Sequence, residues 1–68
     1  MTEAGVQWME KVKLLIEQSR QEKRYLLIVD APPKEDQKPI LNILRNIMKI
    51  KISGEKSKEW KLEISKDP

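Results

Sequence analysis

The chain has 68 residues, of which 14 are Lys or Arg and 11 are Asp or Glu, and it contains neither Cys nor His. This length allows one domain over residues 1–68, and the missing residue types exclude disulfides, thiol nucleophiles, catalytic triads and the usual zinc sites. A chain this short buries only about 60% of its unfolded surface, so we expect reinforcement by a homo-oligomer or a larger protein partner.

Charge and hydropathy indicate where such a protein works. No apolar run reaches the roughly 20 residues of a membrane span, and residues 1–5 do not resemble a signal peptide. We therefore expect a cytoplasmic protein that does not bind membranes, and the lack of Cys fits a reducing compartment. Charged residues of both signs make up 37% of the chain, as in many thermophile proteins, although six Gln and Asn residues weaken that interpretation.

The first predicted element is an amphipathic helix over residues 2–23. Its buried stripe follows helical spacing and comprises Trp8, Met9, Val12, Leu15, Ile16 and Ser19. Thr2 is a residue type that caps helix N-termini. Arg20, Lys23 and Arg24 stand where cations complement the C-terminal end of a helix dipole.

A short apolar run over residues 25–29 follows, and it ends at Asp30 and a double proline. Its length and its β-branched and aromatic members predict a strand that is buried on both faces. The two prolines end the strand because neither can donate a hydrogen bond to a β-ladder.

A second helix is predicted to have Asp36 as its N-cap and Pro39 in its first turn, where a missing N–H is tolerated. Its apolar stripe comprises Ile40, Leu41, Ile43, Leu44, Ile47 and Met48. Residues 49–53 and 59–65 then alternate polar and apolar side chains, with Gly54 in the connection, which predicts a β-hairpin. The apolar face of this hairpin comprises Ile50, Ile52, Trp60, Leu62 and Ile64.

The order of elements predicts an α+β fold, in which two helices cover one face of a mixed three-stranded sheet in a two-layer sandwich. A helix joins the first and second strands, so these strands should run parallel, with the third strand antiparallel. In topology alone, this α-β-α-β-β order resembles Alba-type chromatin proteins and the C-terminal domain of translation initiation factor 3 without their first strand. The resemblance covers the order of elements and no signature residues, and it implies a basic, nucleic-acid-binding protein that uses its terminal hairpin.

The leading functional hypothesis is a small nucleic-acid-binding protein, because the net charge is +3 and the basic residues are concentrated in two regions. The candidate DNA- or RNA-phosphate ligands are Lys49, Lys51, Lys56, Lys58 and Lys61 in the hairpin, with Arg20, Lys23 and Arg24 after the first helix. Such lysines contact phosphates as point charges without sequence preference. Alternatively they are an ordinary solvated surface that discourages aggregation, and Trp60 is expected in the core rather than as a base-stacking platform.

The second hypothesis is a protein-interaction module or small accessory subunit. If the strand order is first, third, second, residues 25–29 form an apolar edge strand, where a homodimer partner or another protein could add a strand. Alternatively the first strand is central and needs a second layer. The candidate partner-binding residues are Tyr25, Leu27, Val29, Trp8 and Met9.

Catalysis and cofactors are not expected. Asp30 at the end of an apolar strand resembles a magnesium-binding aspartate, and magnesium at Asp30 and Asp36 is a minor alternative. No glycine-rich phosphate loop precedes the strand, so Asp30 is expected to cap the following turn.

Overall fold

The computed structural model describes residues 1–65. In chain order, its elements are α1 (Glu3–Gln21), β1 (Leu26–Asp30), α2 (Lys34–Asn42), a π-helical segment (Ile43–Ile47), β2 (Lys51–Ser53) and β3 (Glu59–Glu63). The α-β-α-β-β order and the α+β architecture are those predicted.

Helix α1 begins as its sequence predicts. Thr2 is the N-cap, and its hydroxyl accepts a hydrogen bond from the N–H of Gly5 at 3.1 Å. The helix ends at Gln21, two residues before the predicted end, and its buried face includes Val12 and Ile16. Within the described part of the chain, no helix combines the length and apolar character needed to cross a membrane.

The start of α2 differs from the prediction. The N-cap is Pro33, not Asp36, which lies in the first turn with its side chain buried. Asp36 instead accepts hydrogen bonds from the backbone N–H of Thr2, at 3.0 Å, and from the Thr2 hydroxyl. Because α2 begins at Lys34, Pro39 lies beyond its first turn. Proline has no N–H, so the C=O of Glu35, four residues earlier, receives no helical hydrogen bond.

Helix α2 continues directly into the π-helical segment, where the N–H of Met48 bonds to the C=O of Ile43, five residues earlier, at 3.0 Å. Leu44 stays fully buried, but Ile47, which was predicted in the same apolar stripe, is 71% exposed. A π turn contains more residues than an α turn, so the residue three positions after Leu44, Ile47, no longer lies on the buried face.

The sheet has the strand order β1-β3-β2, and both neighbouring pairs are antiparallel. Strands β1 and β2 run in the same direction, as predicted, but β3 lies between them. The predicted mixed sheet is therefore antiparallel at each hydrogen-bonded pair. Val29 faces Trp60 across the β1–β3 ladder, and Leu62 faces both Leu27 and Ile52.

One face of the sheet carries the core. The predicted apolar face of the hairpin is buried in full, and Trp60 in the central strand has no exposed surface. Both helices cover this face. The prediction that β1 is buried on both faces is wrong, since Leu26 is 57% and Ile28 is 54% exposed. Within residues 1–65, both helices lie on one side of the sheet, and no element covers its other side.

Candidate functional site

Strand β1 lies at an edge of the sheet, and no other strand among residues 1–65 flanks its outer side. Just outside β1, the N–H of Ile64 bonds to the C=O of Tyr25 at 2.9 Å, and the N–H of Ala31 bonds to the C=O of Lys58 at 2.8 Å. Antiparallel ladders alternate hydrogen-bonded and non-hydrogen-bonded pairs. The odd-numbered residues of β1 therefore bond to β3, and the backbone groups of the even-numbered residues point outward.

Two outward-pointing groups already have partners within the chain. The N–H of Arg24 bonds to the C=O of Ser19 at 2.8 Å, and the C=O of Asp30 accepts a hydrogen bond from Trp8 Nε1 at 2.7 Å. The other outward groups are the N–H and C=O of Leu26 and Ile28, the C=O of Arg24 and the N–H of Asp30. An extended segment beside β1 could bond to these groups as an added strand.

The sheet face opposite the helices, which we call the open face, carries the exposed side chains of all three strands. Its members are Leu26, Ile28, Asp30, Glu59, Lys61, Glu63, Lys51 and Ser53. Leu26 lies opposite Glu63, and Ile28 lies opposite Lys61. The apolar side chains of this face are thus on the free edge strand, and its lysines are on β3 and β2.

A groove of about 230 Å³ lies along the same edge, between α1 and β1. Trp8, Lys11 and Leu15 line it from the helix, and Ile28 and Asp30 line it from the strand. The groove gives room beside β1 for side chains of an added strand that point toward the helices.

The structure divides the predicted partner-binding residues. Met9 and Val29 are in the core at 5% and 8% exposure, so their side chains are not available to a partner. The exposed apolar pair on the strand is Leu26 and Ile28, which sequence reasoning missed. No polar residue within the apolar run marks its solvent-facing side. The signal for this pair lies in the flanking residues, since Arg24 and Asp30 have the same parity as Leu26 and Ile28.

The other three predicted partner-binding residues are half-buried. Tyr25 and Leu27 belong to the side of β1 that faces the helices, and Leu27 packs against the core. Trp8 packs edge to face on Trp60, with ring centroids 5.8 Å apart. Leu27 and Trp8 thus border the free edge, although the core accounts for part of their surface.

The opposite edge of the sheet, at β2, is short and closed. This strand has three residues, and by the same alternation only Ile52 directs its backbone groups outward. The C=O of Ile52 accepts a hydrogen bond from Arg45 Nη2 at 3.2 Å, and Arg45 also pairs with Glu55. Lys51 follows the usual protection of edge strands by charge, so strand addition is favoured at β1.

The predicted nucleic-acid-binding residues form two separate groups. Strands β1 and β2 both begin opposite Glu63, about 10 Å apart across β3. The basic residues near this end, which we call the basic end, are Arg20, Lys23, Arg24, Lys49 and Lys51. Lys56 and Lys58 are in the β2–β3 connection at the other end, roughly 15 Å away along β3, and Lys61 is on the open face between them.

Two lysines of the basic end have left-handed backbone conformations, with φ of 59° at Lys23 and 58° at Lys49. Each follows the C-terminal turn of a helical element, a position that glycine usually occupies. At Lys23, the N–H bonds to the C=O of Arg20 at 3.1 Å. The Cβ of a lysine makes this conformation sterically unfavourable, whereas glycine adopts it without that cost.

Residues 1–65 contain no group of three or more potential metal-ligating side chains. The Thr2 hydroxyl, by donating to the carboxylate, holds the pKa of Asp36 below its ordinary value. The Asp36 carboxylate is bonded to Thr2 where the two helices meet, and the backbone C=O of Asp30 accepts a hydrogen bond from Trp8.

Comparisons with known proteins assign no family. No protein-family model matches the chain, and neither a curated protein nor a solved structure matches it.

Proposed function

We propose that this chain is a protein-interaction module that acquires a β-strand from its partner at the free edge of β1. The observation that carries the proposal is the exposure of Leu26 and Ile28, each above one half, on an edge strand whose own backbone groups point outward. Exposed apolar edge strands pair with other chains unless charge, proline or a covering element prevents it. Strand β1 has no Lys or Pro within it, and its one charged residue, Asp30, is at its C-terminal end.

The side chains along β1 define the kind of strand that would pair with it. Arg24 stands just before one end, Leu26 and Ile28 occupy the middle, and Asp30 stands at the other end beside Glu59. An antiparallel partner strand complements this series when alternate residues are basic, apolar, apolar and acidic in that order. Opposite charges and apolar pairs stabilise cross-strand neighbours, whereas like charges destabilise them.

Selection from a displayed library of random peptides, each about nine residues long to match a strand, tests this proposal. The immobilised chain should enrich peptides with apolar residues at two-residue spacing, a basic residue before them and an acidic residue after them. Replacing Ile28→Lys should abolish binding of the enriched peptides, because it places a charge at the centre of the apolar pair.

The matched control is Leu14→Lys. Leu14 is on α1 and is 69% exposed, so this variant also removes an exposed apolar side chain and adds one charge. It should bind the selected peptides as the unaltered chain does. Failure of a monomeric chain to enrich any alternating peptide, or equal binding by the Ile28→Lys variant, would contradict strand addition.

Binding of nucleic acid is a second candidate, and the left-handed lysines favour it. Lys23 and Lys49 flank the same end of the sheet in conformations that lysine adopts at a cost, which is often a feature of functional positions. Arg20, Arg24 and Lys51 add charge at this end. Stacking platforms are absent from the open face of the described residues, so affinity would rest on phosphate contacts and would fall steeply with salt.

Fluorescence anisotropy with short labelled DNA and RNA duplexes tests the second candidate. Binding should be detectable at about 50 mM salt, where phosphate contacts are strong. The double replacement Lys49→Ala, Lys51→Ala at the basic end should weaken binding and reduce the salt dependence. The matched pair Lys56→Ala, Lys58→Ala should change it little, and undetectable binding by the unaltered chain would eliminate this candidate.

A further inference from the structure

We infer that the strand that binds β1 is β1 of a second copy of this chain, antiparallel to the first, with the two-fold axis at Leu27. This inference rests on the proposed strand addition and identifies its partner. It would join two three-stranded sheets into one six-stranded sheet in the order β2-β3-β1-β1-β3-β2.

The side chains of β1 complement themselves in this register. Leu26, Ile28 and Asp30 stand at alternate positions of β1 and direct their backbone groups to the free edge. Arg24 precedes them by one step of the same alternation, and its exposed side chain also contacts Glu22 at 3.3 Å. Read in the opposite direction about Leu27, the same series places Asp30 of the second copy beside Arg24, and Ile28 of the second copy beside Leu26. This is the basic, apolar, apolar, acidic pattern that the strand itself requires of a partner.

The backbone groups agree with the same register. The N–H groups of Leu26, Ile28 and Asp30 would donate to the C=O groups of Ile28, Leu26 and Arg24 in the second copy. One hydrogen bond of the ladder would not form, the one from the N–H of Arg24 to the C=O of Asp30 in the second copy. These are the two groups that are already bonded within the chain, to Ser19 and Trp8. No outward group on the strand is left without a partner.

A shift of the two-fold axis to Ile28 loses these matches. The N–H of Leu26 would then face the C=O of Asp30, which already accepts the indole N–H of Trp8. The apolar side chain of Leu26 would also lie beside the carboxylate of Asp30. Both the charges and the backbone groups therefore favour the axis at Leu27.

On the side that faces the helices, the two Leu27 side chains would meet at the axis. Leu27 is half-buried, and the groove between α1 and β1, which Leu15 lines, lies along this edge. The contact would cover the part of the Leu27 side chain that is exposed in a single copy. A pair of this kind would give a 68-residue chain part of the reinforcement that small domains need.

The assembly should stop at two copies. Each outer edge of the joined sheet would be β2, which is short and has the C=O of Ile52 bound to Arg45. A two-fold contact between identical edges is closed, so it does not propagate into a fibre.

Charge reversal with mixing tests both the partner and the register. In the Arg24→Asp variant, positions 24 and 30 are both acidic, so each copy repels another at both ends of the strand. The Asp30→Arg variant is basic at both positions and repels itself in the same way. Sedimentation equilibrium between about 10 µM and 1 mM, the range for a small interface, should show a dimer for the unaltered chain and monomers for each variant alone.

An equimolar mixture of the two variants should restore the dimer, because every cross-strand pair of charges is then opposite. Restored association also shows that both variants are folded. Independently, amide hydrogen exchange at Leu26 and Ile28 of the unaltered chain should slow as its concentration rises. A mixture that stays monomeric, or exchange at these amides that is independent of concentration, would overturn the inference.

The library selection separates this inference from the proposed function. A chain that is monomeric at about 1 mM but binds alternating peptides at β1 overturns the second copy as partner and retains strand addition. A chain that is monomeric and selects no peptide overturns both.

Discussion

Asp36 in α2 accepts hydrogen bonds from both the backbone N–H and the hydroxyl of Thr2, so one buried carboxylate joins the starts of the two helices. The Thr2 hydroxyl accepts in turn from the N–H of Gly5 at 3.1 Å. The bonds from Thr2 hold the pKa of Asp36 below its ordinary value of 3.8, against the opposing effect of burial.

The lowered pKa predicts acid sensitivity. A carboxyl with a lower pKa in the folded state contributes stability that is complete above the unfolded pKa and is lost as the pH falls through the folded pKa. The Asp36→Asn variant should therefore be less stable than the unaltered chain at pH 7, and the difference should shrink below about pH 4. Urea unfolding at several pH values measures this effect.

The neighbouring Glu35→Gln variant is the matched control, since Glu35 is exposed in the same first turn. It should unfold at nearly the same urea concentration as the unaltered chain at pH 7. An equal loss of stability in both variants would show that the helix N-terminus responds to charge in general and not to the contact with Thr2.

The next prediction concerns Gly5, because a side chain at this position of α1 would meet Asp36. A Cβ on Gly5 would lie 2.6 Å from the carboxyl carbon of Asp36 and 3.0 Å from its Cβ. Alanine ordinarily stabilises a helix by about 1 kcal/mol relative to glycine, but Gly5→Ala should destabilise this chain by about 1–3 kcal/mol through overpacking. Thermal unfolding of Gly5→Ala beside Gln7→Ala, an exposed control in the same helix, decides the sign.

The left-handed lysines give a prediction with two independent measurements. Lys23→Gly and Lys49→Gly should each raise the unfolding free energy by up to about 1 kcal/mol, because glycine adopts positive φ without the steric cost. Lys23→Ala and Lys49→Ala remove the same charge and keep the cost, so they should not stabilise. If the basic end binds nucleic acid, both kinds of variant should lose affinity equally, which separates the charge from the backbone.

The parts of the fold that follow from local patterns were predictable. The helical spacing from Trp8 to Ser19 indicated the buried side of α1, and Thr2 matched its role as N-cap. The alternation around Trp60 identified the buried face of the hairpin, because charged residues separate the apolar ones. In each case the sequence itself contrasts the two sides of the element.

The features that were missed depend on contacts between distant residues or on conformations without a residue signal. Which side of β1 faces water depends on its pairing with β3, in which Leu27 lies opposite Leu62, 35 residues later in the chain. Asp36 was expected to cap its own helix, and only the approach of α1 shows that it binds Thr2. Lys23 at positive φ could not be predicted because its residue type gives no signal, since lysine rarely adopts this conformation.

A single cysteine at the proposed two-fold axis provides the last prediction. The chain has no Cys, so Leu27→Cys introduces one thiol per copy. Leu27 directs its backbone groups to β3, so Leu27 and its copy would form a non-hydrogen-bonded pair with Cα atoms about 4.5 Å apart. This separation is within the range that a disulfide spans, and mild oxidation should convert the variant almost completely to a covalent dimer on non-reducing gels.

Two other cysteine variants make this result specific for the register. Leu14→Cys is on the exposed side of α1 and should cross-link only slowly, through random collisions. Ile28→Cys would have Leu26 of the second copy as its neighbour, so it should also resist cross-linking. Efficient cross-linking of Ile28→Cys with little at Leu27→Cys would place the axis at Ile28 and contradict the pairing of Arg24 with Asp30.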